Sequence, residues 1–168
     1  MVYGLDREWL FEHPEVRTWT RDEQYRAIKA GGGCVVQAHP FRERNYIKKV
    51  VLSTGCVDAV EIANCGNDNA SFDALALRYA NRLGVPVIAG SDAHNAQGVR
   101  DGNVFGIYLD KKLESPADLV KTILNNQISG LKMYPGRCDY HGNETITTPL
   151  EVRDANDEVV NKNLADLI

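Results

Sequence analysis

Short apolar runs alternate with helical segments along most of this chain, and that alternation restricts the fold more than any single residue does. "GCVVQAHP", "VDAVEIAN", "VPVIAGSD" and "NVFGIYLD" each read as a short buried strand, and "GLKMYPG" as a last one. Helix signals fill the gaps. "TRDEQYRAIKAGG" opens with Thr20 as an N-cap, carries Glu23 three residues later as its capping-box partner, and stops at glycines. "RNYIKKVVLSTG" reads as helical. In "ASFDALALRYANRLG", Phe72, Leu75, Ala76, Tyr79 and Leu83 share one helical face and Gly84 ends the helix. "SPADLVKTILNN" has Ser115 at the N-cap, Pro116 at the first helical position and an apolar stripe of Leu119, Ile123 and Leu124. Strands separated by helices of about 10–15 residues predict βαβ units and a parallel α/β sheet.

A chain of 168 residues, 43% of them apolar, is sized for one compact domain. No apolar run approaches the roughly 20 residues that span a bilayer, and "MVYGLDREWL" lacks a signal-peptide profile. The expectation is a cytoplasmic protein with no membrane partner. A net charge of −4 argues against nucleic acid as a partner bound through its phosphate backbone. The four cysteines form no CxxC pair, which speaks against a zinc knuckle; Cys34 reads as a buried thiol, and disulfides are not expected. Beyond about Arg137 the sequence turns polar. The expected division is therefore a main unit over 1–138 and an appendage over 139–168, with a small hairpin around Ala155-Asn156.

Functional groups of a parallel α/β sheet collect at the carboxyl ends of its strands. Here the first such end delivers His39, the second carries Glu61 and ends near Asn64 and Cys65, and the third delivers Asp92 and His94. In extended backbone, residues i and i+2 point to one side, so Asp92 and His94 are expected to converge. A carboxylate oxygen with a neutral imidazole nitrogen suits a divalent metal. Each group alone has a plainer reading: His39 as a hydrogen-bonded strand end, Asp92 as the N-cap of the next segment. Glu61 is harder to dismiss, because a buried carboxylate is costly unless paired or metal-bound. His13 and His141 read as surface residues.

"GGGCVVQAHPFR", "VDAVEIAN" and "ALRYANRLGVPVIAGSDAH", in that order, closely resemble the PHP (polymerase and histidinol phosphatase) family of metal-dependent phosphoesterases. The resemblance runs from about Tyr3 to Gly130. It implies a distorted (β/α)7 barrel with two or three metals at the strand ends and hydrolysis of a small phosphate ester or nucleotide. His39, Asp92 and His94 match metal ligands, for zinc, manganese or iron, while Glu61 and Asn64 match the pocket wall. Arg42 and Arg44, just after "HP", are candidates for gripping the phosphate, Arg42 also as the electrophilic catalyst; a solvated basic turn is the plainer alternative. In such a mechanism the metals lower the pKa of a bound water, and metal plus arginine absorb charge on the phosphoryl oxygens.

The chain also departs from that pattern. Family members open with an HxH strand and further His and Glu ligands, and no HxH occurs here. The expected fold is therefore an incomplete barrel, its C-terminal portion, with one metal on three ligands rather than a two-metal clamp. Open barrel edges favour association with another copy or a partner. Two readings follow: part of a phosphoesterase whose activity is impaired in this chain alone, or a non-catalytic metal- or nucleotide-binding remnant serving assembly or regulation. Amidohydrolase-like C–N hydrolysis is disfavoured, because no lysine is evidently placed to bridge two metals.

Overall fold

The computed structural model describes residues 1–100 and 104–168. In chain order its elements are β1 (Val2–Tyr3), α1 (Arg7–Glu12), a 3-10 turn (Pro14–Thr18), α2 (Arg21–Ala30), β2 (Cys34–Gln37), β3 (Val50–Ser53), β4 (Ala59–Asn64), α3 (Ala70–Leu83) and β5 (Val87–Gly90). They continue with α4 (Ala96–Arg100), β6 (Gly106–Tyr108), α5 (Pro116–Leu124), β7 (Gly130–Lys132), β8 (Leu150–Arg153), β9 (Val159–Asn161) and a 3-10 turn (Leu164–Asp166). Asn103, the first residue of the expected strand "NVFGIYLD", lies outside the described residues. Among the described residues, no helix is long and apolar enough to cross a membrane.

The chain is mixed α/β. A four-stranded sheet has the order β1-β2-β4-β5, with β2, β4 and β5 parallel and β1 antiparallel at its edge. A second sheet has the order β3-β8-β9, and β6 and β7 form an antiparallel pair. The described strands lie in separate sheets and do not close into a barrel.

Helix ends follow their local chemistry. Thr20 and Glu23 exchange side-chain and backbone hydrogen bonds in a capping box. Gly84 ends α3 in the left-handed region at φ 67°, which lacks the Cβ penalty other residues meet there. Ser115 caps α5 ahead of Pro116. The face of α3 predicted to be apolar packs on β4, with Phe72, Leu75, Ala76 and Tyr79 buried and Leu83 partly buried. Full burial of a side chain the size of Leu75 stabilises by about 1.5–3 kcal/mol. All six residues of β4 are buried, so it is the central strand, and any polar group on it must find partners inside the protein.

"RNYIKKVVLSTG" is not a helix. Its apolar half is β3, which pairs in parallel with β8, Val50 opposite Leu150 through Ser53 opposite Arg153. The adjacent β-branched Val50 and Val51 suit a pleated strand, and a partner about a hundred residues away overrides a weak local helical pattern. The same pairing ties the tail into the fold. Residues 154–158 turn between β8 and its antiparallel partner β9, while Leu150 and Val152 join the main core. His13 is half-buried and stacked on Trp9 with ring centroids 4.2 Å apart; His141 is exposed.

Candidate functional site

The carboxyl ends of β2, β4 and β5 open onto a pocket of about 530 Å³. His39, Glu61, Asn64 and Asp92 line its polar side, and Ile88, Phe105, Ile107 and Ile123 its apolar side. Local backbone irregularities place the polar groups. His39 has φ 28° and Asp92 φ 51°, positive values uncommon for residues other than glycine, though His and Asp are among the types that tolerate them best. Such positions cost on the order of 1–3 kcal/mol each and cluster at functional sites.

Glu61 and Asn64 would face opposite sides of a regular strand, three positions apart. The register of β4 against β5 instead shifts between Glu61 and Ala63, a bulge that re-aims the side chains beyond it. Asn64 Nδ2 then donates to Glu61 Oε2 at 3.0 Å, and the backbone N–H of His39 donates to the same oxygen at 2.8 Å. Glu61 is only 3% exposed. Burial pushes its carboxyl above the ordinary range, and the two hydrogen bonds oppose that shift.

Close packing explains two glycines. A Cβ on Gly90 would fall on Glu61 Oε1, and one on Gly66 would fall on Asp92 Oδ2, with Arg42 and Asn64 also crowding it.

Arg42 is committed inside the protein. Its Nε donates to Asn67 Oδ1 at 2.7 Å, Nη1 to Asp92 Oδ2 at 2.8 Å, and Nη2 to Asn64 Oδ1. Burial alone would raise the Asp92 pKa; the hydrogen bond and charge of Arg42 outweigh it and hold Asp92 below the ordinary carboxylate range. The His39 pKa is lowered, first by burial and then by the Arg42 charge, both of which favour the neutral imidazole. Arg44 sits further out. It donates to Asp68 Oδ2 at 3.0 Å and to the Gly66 carbonyl at 2.6 Å.

The expected convergence of Asp92 and His94 occurs through a turn, since residues 91–94 are not strand. His94 Nε2 lies 3.4 Å from Asp92 Oδ1, with the imidazole 85% exposed. His39 does not complete a cluster with this pair. Among the described residues, no group of three or more His, Cys, Asp or Glu is placed to hold a metal ion. The chemistry of the pair suits a divalent cation, but two donors fall short of the usual set, and Arg42 already takes one Asp92 oxygen. Among the described residues, the pair is therefore an incomplete donor set.

Three polar residues of the site had no place in the sequence reading: Asn67, Asp73 and Arg137. Asp73 is 1% exposed and accepts from Asn67 Nδ2 at 2.6 Å and from Arg137 Nε. Burial raises its pKa, against the pull of those partners. A carboxylate beside the apolar face of α3 was its available signal. Nothing local marks Arg137, which reaches Asp73 across 64 positions of sequence.

No curated protein and no solved structure matches this chain. A family model described as PHP-associated matches residues 72–128, a stretch that includes all but the first two residues of α3, with β5 and the Asp92–His94 turn. The matched stretch is similar to a PHP-associated region and contains the "GSDAH" part of the resemblance, while "AHP" lies outside it.

Proposed function

We propose that this chain forms one side of a metal-dependent centre that hydrolyses a small phosphate ester, as the C-terminal portion of a PHP-type barrel. The observation that carries this reading is the pair of positive-φ strand ends, His39 and Asp92, flanking a buried carboxylate at the mouth of one pocket. In this reading Asp92 and His94 act as two of the metal's donors.

The two arginines take different roles, and magnitudes decide which. Arg42 is buried and donates to three acceptors, one of them the partly buried Asp92, so Arg42 stays put and fixes the carboxylate. An exposed pair such as Arg44–Asp68 is worth roughly 0–1 kcal/mol, so Arg44 can exchange its partner for a phosphate oxygen. Glu61 holds the His39 corner by accepting a hydrogen bond from the His39 backbone N–H.

A non-catalytic remnant serving assembly or regulation is the second reading, favoured by Arg42 occupying an oxygen that a metal would otherwise use. Turnover of 4-nitrophenyl phosphate with added Mn²⁺ separates the two. The expected result is slow, Mn²⁺-dependent turnover that Asp92→Ala abolishes and whose KM Arg44→Ala raises about tenfold. Mn²⁺ binding without turnover would favour the remnant. Turnover indifferent to Asp92→Ala would contradict the proposed site.

A further inference from the structure

A chain of polar side chains leads away from the pocket and ends on Arg137, beyond β7 and outside the PHP-associated region. From Asp92 Oδ2 it runs through Arg42 Nη1 at 2.8 Å, Arg42 Nε to Asn67 Oδ1 at 2.7 Å, Asn67 Nδ2 to Asp73 Oδ1 at 2.6 Å, and Asp73 to Arg137 Nε. Arg137 Nη2 also donates to the Asn67 carbonyl at 2.6 Å, so Arg137 holds the middle link by its backbone as well as through Asp73. Arg42, Asn67 and Asp73 are 8%, 6% and 1% exposed.

Two properties make this more than a set of separate contacts. The charges alternate, carboxylate, guanidinium, carboxylate, guanidinium, and so compensate one another where water does not. The Asn67 link is also directional. Its Oδ1 is needed by Arg42 and its Nδ2 by Asp73, so the amide satisfies both neighbours in one orientation only. At the far end, the Arg137 guanidinium carbon lies 5.8 Å from the ring centroid of Phe105, which lines the pocket.

We propose that Arg137 is a positioning residue for the Asp92 carboxylate, acting through Asp73, Asn67 and Arg42. Its relevance to function rests on the reading of Asp92 as the anionic group of the site. If Arg137 merely neutralised Asp73, the geometry at Arg42 would be indifferent to its loss.

The test follows hydrogen exchange at the Arg42 Nε–H by nuclear magnetic resonance, its signal assigned by its disappearance in Arg42→Lys. Arg137→Gln is expected to speed that exchange about tenfold, as for residues coupled in one network. Arg137→Lys, which keeps the charge but not the two-point grip, is expected to fall between it and the wild type. If Arg137→Gln does not fold, Arg137→Lys and Asp73→Asn carry the same test. A folded variant with a lowered melting temperature and unchanged exchange at Arg42 would overturn the proposal. Mn²⁺ titration of the wild type reports on the other question. A chain that binds no Mn²⁺ while Arg42 still responds to Arg137 supports the link and overturns only the reading of Asp92 as a donor.

Discussion

Arg42→Ala is expected to destabilise the protein by about 3 kcal/mol, from the loss of a partly buried ion pair together with two buried hydrogen bonds. The side chain is 8% exposed and meets three separate acceptors, on Asn64, Asn67 and Asp92. Its removal leaves the buried Asn67 Oδ1 without its donor, Asn64 Oδ1 with only the Gly66 N–H, and Asp92 without its counter-charge. A domain with an ordinary total stability of roughly 5–15 kcal/mol would lose a large part of it. For a chain of this size the melting temperature is expected to fall by roughly 6–12 °C. Arg42→Lys keeps the charge but offers a single compact ammonium to three acceptors, and is expected to recover less than half of the loss. Thermal unfolding of the three proteins checks this. Equal melting temperatures would mean that water, rather than Arg42, satisfies these groups.

Asp92 adds a pH signature to the same variant. Its pKa is depressed in the folded state, so the pair contributes stability above the unfolded-state value and loses it as pH falls through the folded-state value. In Arg42→Ala that acid-side loss is expected to shrink.

Gly90→Ala is expected to cost about 2–3 kcal/mol, at the upper end for overpacking a tight site. The new Cβ would fall on Glu61 Oε1, and this carboxylate is not free to swing away. Its other oxygen is held by the His39 N–H and by Asn64 Nδ2. To admit the methyl group, Glu61 must give up one of those bonds, or β5 must move away from β4. Either change disturbs the His39 corner. Gly90 does not require positive φ, so the penalty comes from the close approach of two strands. Denaturant unfolding of Gly90→Ala beside Gly106→Ala makes the comparison, because no atom lies within 4 Å of a Cβ built at Gly106.

The strand ends were legible because each couples an apolar run to a polar residue at a turn, and both signals are local. His39, Asp92 and the helices capped by Thr20 and Ser115 belong to this class. Two kinds of information were not local. The pairing of β3 with β8 joins segments about a hundred residues apart, so "KKVVLS" carried no trace of the partner that makes it a strand. The role of Arg42 was equally hidden. A basic residue after "HP" suggests a phosphate grip until Asn64, Asn67 and Asp92 are seen to close around it. The bulge in β4 belongs with these, since sequence alternation alone would send Glu61 and Asn64 to opposite faces.

The most direct measurement is a Mn²⁺ titration of the purified chain, followed by electron paramagnetic resonance of the free ion, for the wild type, Asp92→Ala and His94→Ala. The expected result is one weak site per chain, weakened at least about tenfold by either substitution, because the pair is what the described residues bring together as donors. Binding that is absent, or equal in all three proteins, would contradict the assignment of the Asp92–His94 turn as the metal-facing edge of the site.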